Sequence, residues 1–395
     1  MPLQIAQRVA RVKPSATLAV TARAAQMRRE GKDVISMSVG EPDFDTPAHI
    51  GEAGIAAIRE GFTRYTNADG MPELKDAIIA KFQRDNGLTY ERNQILVSTG
   101  AKQTLFNLCM AVLNPGDEVI IPAPYWVSYP DMALLADGLP VTPDGPASQG
   151  YKITARQLEA AITPRTRLFM LNSPSNPTGA AYTRPELAAL GEVLLRHPRI
   201  LIGTDDIYEK IYWGTEPFSS FAQVNPALYG RTITINGCSK GYAMTGWRIG
   251  YCGGPKEIVA AMATVQGQST TNASSISQRA AIAALTGPDE QMRRMNSVFK
   301  TRHDFFVAGL NALPGITCLP ASGTFYAFCD VRGAMEHLGL KDDNALAEFI
   351  LNEALVAGVA GSSFGAPGHL RLSFACSTET LEKALQRMGK ALAAS

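Results

Sequence analysis

The sequence has almost no excess of charge of either sign. Its 37 lysines and arginines stand against 36 aspartates and glutamates, a net charge of +1 spread over 395 residues. That balance leaves no global field to attract a polyanion, so neither nucleic acid nor an anionic membrane surface is an expected partner. Long apolar runs are missing too, since none approaches the roughly 20 residues that cross a bilayer. The opening MPLQIAQRVARVKPSATLAV interleaves Arg8, Arg11 and Lys13 with apolar residues. It lacks the continuous stretch of a signal peptide and reads as a short amphipathic arm. A cytoplasmic location is therefore expected. The six cysteines are irregularly spaced without a CxxC pair, which points to buried, reduced thiols rather than a disulfide framework. The five histidines stand singly, without HxxH or HExxH spacing, so a metal site has no support. Neither GxGxxG nor GxxxxGK followed by Ser or Thr occurs, which counts against dinucleotide and P-loop sites.

What is present is apolar material, 46% of the chain, enough for two domains. Short β-rich runs alternate with helical stretches between about 95 and 255. Candidate strands are 95–98, 118–121, 167–171, 200–203, 232–235 and 248–252, with helices such as 101–113 and 184–196 between them. Apolar runs of four or five residues separated by helices predict strands buried on both faces of a mostly parallel sheet. The rest differs in texture: a long helix over 289–311, strands at 324–330 and 369–374, and helices near 343–357 and 378–393. The expected fold class is α/β, a large domain with a mostly parallel sheet flanked by helices plus a smaller α+β domain. The expected division is an N-terminal arm and part of the small domain at 1–45, a large domain at 46–295, and a small C-terminal domain at 296–395.

The strongest chemical cluster is 236–250, NGCSKGYAMTGWRIG. It follows a candidate strand and is rich in small residues, so a cofactor can approach the backbone closely. Lys240 sits in this turn rather than on a charged helix face, where apolar surroundings lower an amine's pKa, as a covalent-catalysis lysine requires. Eight residues on, Arg248 can present a guanidinium fork to a phosphate. Gly100, Ala101 and Lys102 open a helix directly after a strand, a ready anion site. Asp205 would stand at a carboxyl end of the sheet, where open α/β folds bind ligands; Asp206 is better read as a helix N-cap. Arg371, inside the apolar run HLRLSF, is costly unless paired and reads as functional. The pentapeptide GCSKG formally matches the nucleophile elbow GxSxG, with His303 or His369 after Ser239. A hydrolase, however, leaves Lys240, Arg248, Asn176 and Asp205 without a role.

SK-x3-MTGWR-x-G closely resembles the cofactor-lysine motif of fold-type I, class I pyridoxal-phosphate aminotransferases. Eight further segments match in family order: 13–20 KPSATLAV, 40–47 GEPDFDTP, 65–74 YTNADGMPEL, 99–107 TGAKQTLFN, 124–130 PYWVSYP, 172–179 NSPSNPTG, 204–208 TDDIY and 369–374 HLRLSF. The chain most resembles the bacterial aspartate aminotransferases of subgroup Ib, some of which also use prephenate. The resemblance implies pyridoxal 5'-phosphate on Lys240, with Asp205 at the pyridine nitrogen. Asn176 and Tyr208 would hold the ring hydroxyl oxygen, and Trp126 would stack on the ring. Arg248 would hold the phosphate, with Tyr65 reaching it from a neighbouring subunit and Thr271 near that boundary. Read without the resemblance, Asn176 is an ordinary turn residue and Trp126 core packing. Arg371 would clamp the substrate α-carboxylate, with Gly40 lining the same end.

Two departures from the animal-type enzymes stand out. The stretch around Gly267 has no arginine for the distal carboxylate, a task the resemblance gives to Lys102 with Lys13 assisting. Gly237 stands where a phosphate-binding serine is found, and Ser239 is the neighbouring hydroxyl. The activity implied is ping-pong transfer of the amino group of L-aspartate to 2-oxoglutarate in a homodimer with shared sites. Prephenate, aromatic or alanine-type substrates, or a β-lyase on the same scaffold, are the alternatives.

Overall fold

The apolar runs in the middle of the chain form one seven-stranded sheet in the computed structural model, which describes residues 3–393. Across it the strands lie in the order Ile95–Thr99, Ile249–Gly253, Thr232–Gly237, Leu201–Asp205, Thr166–Asn172, Glu118–Ile120 and Leu139–Val141. Alternation along the first of these shows why such runs are apolar throughout. Ile95 and Val97 pack in one hydrophobic cluster with residues of the helices Pro72–Lys81 and Ser275–Thr286. Leu96, facing the other way, packs with the helices Ala101–Val112 and Lys256–Gly267. Both faces of the sheet are covered, so both sets of side chains are apolar. Local signals set the helix starts: Thr183 and Glu186 form a reciprocal capping box ahead of Arg184–Leu195.

Six strands run in one direction and Ile249–Gly253 runs against both its neighbours. This reversal brings the site together. The register pairs Asn172 with Asp205, Asp205 with Ile235, Gly237 with Gly250, and Thr99 with Ile249. The carboxyl ends of the parallel strands and the amino end of the reversed one therefore share one edge.

A four-stranded antiparallel sheet lies beyond that edge, in the order Val359–Ala360, His369–Ser373, Tyr326–Asp330 and Thr317–Cys318. The helix Glu290–Asn311 buries Met292, Met295, Phe299, His303, Phe306, Val307 and Leu310, a three- and four-residue spacing that makes a single stripe. Thr378–Ala393 adds Leu381, Ala384, Met388 and Leu392 to the core that holds Met295, Phe299, Phe306, Val307 and Leu310, while Met292 packs with the large-sheet residues. The expected N-terminal arm is mostly helix, Ala16–Arg29, followed by Ile35–Ser36, which pairs in parallel with Val356–Ala357. The helix expected over 343–357 is shorter. Asp343–Phe349 continues as a π-helical turn to Ala354, and Leu355 at φ 54° ends it, freeing Val356–Ala357 to pair as a strand. Five of the six cysteines are buried and all are free thiols. Among the described residues no helix is long and apolar enough to cross a membrane.

Candidate active site

Between the two sheets lies a cavity of about 420 Å³. Lys240, Asp205, Tyr208, Asn176, Trp126, Ala101, Lys102, Arg248, Arg371 and Gly40 all line it. Lys240 follows the Thr232–Gly237 strand, and its Nζ donates to the Gly40 carbonyl at 2.5 Å. Burial pushes its amine down to about 8, with Arg248 and Arg371 adding to the fall and Glu41 and Asp205 opposing it.

Asp205 ends its strand with both carboxylate oxygens engaged. The Tyr129 hydroxyl donates to one at 2.6 Å and the Ile207 amide to the other at 3.2 Å. Burial pushes the Asp205 carboxyl up, while these two donors and the Lys240 charge hold it back. The neighbouring Asp206 is no helix cap: the chain enters a turn, its side chain is buried, and one carboxylate oxygen lacks a partner among the described residues. The strand's alternation sends Asp205 toward the cavity and its neighbour away from it.

The anion-binding corner is built by close approach. Gly100 precedes the helix Ala101–Val112 at φ 80°, and a Cβ there would lie 2.3 Å from Arg248 Nη2. Across the strand pair, a Cβ on Gly250 would meet the Ala101 nitrogen at 2.1 Å. Glycine at both positions lets the guanidinium and the first helical turn crowd together. The Ala101 and Lys102 amides, as at any helix start, have no carbonyl of their own to bond, while Gln103 already donates to the Gly100 carbonyl at 3.0 Å; no side chain caps this turn. Gly237 is glycine for a similar reason: a Cβ would sit 2.9 Å from the Ile249 carbonyl oxygen and 3.0 Å from Ile207 Cδ1. A serine has no room there, and Ser239, two residues on, lines the cavity.

Arg371 enters from the His369–Ser373 strand and is only 1% exposed. Its Nη1 donates to Asn176 Oδ1 at 2.8 Å and its Nη2 to the Ser38 carbonyl at 2.6 Å, while Nε has no partner among the described residues. The guanidinium lies between Tyr326 and Phe364, 4.4 and 4.8 Å from the ring centroids. Lys102 Nζ sits 4.8 Å from the Trp126 ring centroid; burial and the nearby Arg248 push its amine down.

Some expected residues are elsewhere. Lys13 does not line the cavity, although Ser15, Thr17 and Leu18 of the same segment do. Tyr65 is 90% exposed and outside it in the single chain, as is Thr271. Residues missed in the sequence are Tyr129, Asn172 and Tyr326. Tyr129 had a usable signal, lying one helical turn past Trp126 in PYWVSYP. Among the described residues no serine-hydrolase triad assembles: His303 bonds Asp304 and the Ala321 amide, and His369 bonds the Pro367 carbonyl. Among the described residues no cluster of His, Cys, Asp and Glu could hold a metal ion.

The profile of the family described as aminotransferase class I and II matches residues 32–388. The chain belongs to that family. This aminotransferase is 52% identical over 396 residues to the aspartate/prephenate aminotransferase of Nitrosomonas europaea, covering 99% of this chain and 100% of that one. It is 50% identical over 393 residues to the aspartate aminotransferase of Rhizobium meliloti, covering 98% and 96%. The crystal structure of the aspartate aminotransferase from Rhizobium meliloti matches it with a TM-score of 0.95 at 49% identity, over 99% of both chains. The aspartate aminotransferase of Thermus thermophilus with maleate matches with a TM-score of 0.92 at 42% identity, over 99% and 100%.

Proposed function

We propose that this aminotransferase uses pyridoxal 5'-phosphate to move the amino group of L-aspartate to 2-oxoglutarate. One observation carries the reading: Lys240, Lys102, Arg248 and Arg371 converge on one cavity, and none forms an ion pair with a carboxylate among the described residues. Such a set needs anions from outside. A cofactor phosphate of charge about −2 together with a dicarboxylic amino acid supplies them. The names of the Nitrosomonas and Rhizobium relatives and the maleate held by the Thermus enzyme favour a dicarboxylic substrate.

The residues fit the cofactor. Arg248 and the amides of Ala101 and Lys102 would hold its phosphate, with Gly100, whose own amide donates to the Ser98 carbonyl, giving them room. Asp205 would pair with the pyridine nitrogen, Asn176 and Tyr208 with the ring oxygen, and Trp126 with the ring face. Bound pyridoxal phosphate supplies an electrophilic carbon and an electron sink. Arg371, with Asn176 and Gly40, seats the α-carboxylate, and Lys102 takes the distal one. Lys240, its amine lowered toward neutrality, removes the α-proton as a general base and returns it as an acid. Asp205, whose charge burial disfavours but the Tyr129 and Ile207 donors support, would hold it against a ring cation.

Further readings belong to the same proposal. The core divides within the helix Glu290–Asn311, where Met292 packs with the large-sheet residues and Met295 with the small-sheet ones, which supports a boundary near 295; the pairing of Ile35–Ser36 with Val356–Ala357 supports assigning part of 1–45 to the small domain. The exposure of Tyr65 supports a homodimer in which it completes a neighbour's phosphate site, with Thr271 at the boundary. Lys13 would act at the cavity mouth, beside Ser15 and Thr17. Prephenate also carries two carboxylates, and the Nitrosomonas relative's name includes it; it is the second substrate to assay.

The test is the absorption spectrum of the purified protein, with and without L-aspartate and no oxo acid. A yellow band that moves to the near ultraviolet with aspartate, and is missing in Lys240→Ala, is the expected result. A colourless protein that takes up no cofactor overturns the reading.

A further inference from the structure

Tyr326 belongs to no motif in the sequence, yet three parts of the site converge on it. Its hydroxyl lies 3.1 Å from that of Tyr208, and among the described residues neither phenol oxygen has another partner. Its ring carries the Arg371 guanidinium at 4.4 Å. The register explains this contact: Phe328 is opposite Arg371 and Tyr326 is two residues along, a diagonal neighbour on the same face of the sheet. A Cβ on Gly40 would come within 2.1 Å of the Tyr326 hydroxyl oxygen, so only glycine admits the phenol there. The Gly40 carbonyl in turn receives Lys240.

We infer that Tyr326 is a positioning residue for amino transfer: its O–H donates to the Tyr208 oxygen and so directs the Tyr208 proton toward the ring oxygen of the bound cofactor. This rests on the pyridoxal-phosphate reading above. Only one hydrogen fits between the two oxygens, so one phenol donates and the other keeps its proton free. The surrounding charges set the direction. On the Tyr326 side, the Arg371 cation over the ring favours loss of electron density from the hydroxyl, making it the better donor. Arg371 acts on both phenols, but Tyr208 also feels the Asp205 carboxylate, which disfavours an electron-rich oxygen that has given its proton away. Lys240, Lys102 and Arg248 line the same cavity. A donor behind a donor strengthens the front bond by roughly 10–30%. Tyr326 thus acts through Tyr208, and the same ring seats Arg371.

The experiment follows the cofactor band of the full-length, loaded protein as a function of pH in wild type, Tyr326→Phe, Tyr208→Phe and the double variant. A donor to the ring oxygen lowers that oxygen's basicity, and with it the pH at which the neighbouring nitrogen loses its proton. Losing the donor therefore raises the spectroscopic midpoint. Tyr326→Phe should raise it by roughly 0.3 pH unit, less than Tyr208→Phe does. The double variant should match Tyr208→Phe alone. The phenyl ring still seats Arg371, so the KM for aspartate should stay within twofold of wild type in Tyr326→Phe, whereas Tyr326→Leu should raise it. A Tyr326→Phe midpoint equal to wild type, or shifts that add in the double variant, overturns the inference while leaving the cofactor reading intact. Wild type that binds no pyridoxal phosphate overturns both.

Discussion

A guanidinium against two aromatic rings, with one nitrogen lacking a partner and no carboxylate in reach among the described residues, is costly to bury unless an anion visits it. Arg371 is that group, and burial pushes its guanidinium down from the usual range. Replacing it with lysine keeps a charge but removes the planar fork. Steady-state kinetics of Arg371→Lys should show kcat/KM for aspartate falling about 100-fold, close to 3 kcal/mol, with the cofactor band unchanged. Lys240 gives a second prediction, for the cofactor-free protein. Its amine is lowered to about 8 in the folded chain, against about 10.4 in an unfolded one. Between those values the unfolded state binds more protons, so the lysine's destabilising effect fades as pH rises through that window. Urea midpoints of wild type and Lys240→Met should accordingly converge from pH 8 to pH 10. A gap that widens instead contradicts the buried amine.

At the scale of elements, the site depends on how closely strands and one helix start approach each other. Gly237→Ser forces a Cβ against the Ile249 carbonyl and Ile207. It should cost about 1–3 kcal/mol in denaturant unfolding without restoring a phosphate contact. Gly100→Ala adds a methyl 2.3 Å from Arg248 Nη2 at a positive φ. Titration of the cofactor-free variant should show pyridoxal phosphate binding at least about tenfold weaker, the loss of roughly one charge-assisted bond. These elements were legible to different degrees. Buried strands such as Leu201–Asp205 and the Arg184–Leu195 helix follow from apolar runs and capping residues, which are local. The reversed direction of Ile249–Gly253 has no local signature, because a short buried strand reads alike in either sense. The lining residues Ala101, Asp205, Lys240, Arg248 and Arg371 were readable from motifs or from an arginine in an apolar run. Tyr326 was not: it looks like core in sequence, and only the register between strands turns its hydroxyl into the cavity, whereas Tyr129, on the helix Ser128–Leu135, was readable from its spacing one turn past Trp126. Leu355 shows the converse, a local backbone reversal that ends an otherwise plausible helix.

For the whole molecule, the cavity takes Lys240, Asp205 and Arg248 from the seven-stranded sheet's edge and Arg371 and Tyr326 from the four-stranded sheet. A dicarboxylate that touches both parts binds only when both are folded, so it stabilises the whole by mass action. At 100 times its Kd, a non-reacting four-carbon dicarboxylate should add about 2.7 kcal/mol to the holoenzyme, read as a rise in Tm. A monocarboxylate of similar size at the same concentration should add less. Equal shifts from both would remove the distal-carboxylate role proposed for Lys102. The proposed pairing of chains predicts that sedimentation gives twice the chain mass and that Tyr65→Phe weakens cofactor binding only in the associated form.

The pairing of Ile35 with Val356 has a consequence for how the protein is made. The two partners are separated by some 320 positions, and a ribosome adds about 5–20 residues per second. The early segment therefore waits tens of seconds for its mate, with Val34 and Met27 lacking the Leu351 and Ala357 they will pack against. The seven-stranded sheet, complete by Gly253, can form meanwhile. During that interval the nascent chain carries a finished body with a loose apolar leader, the stage at which a chaperone has most to hold.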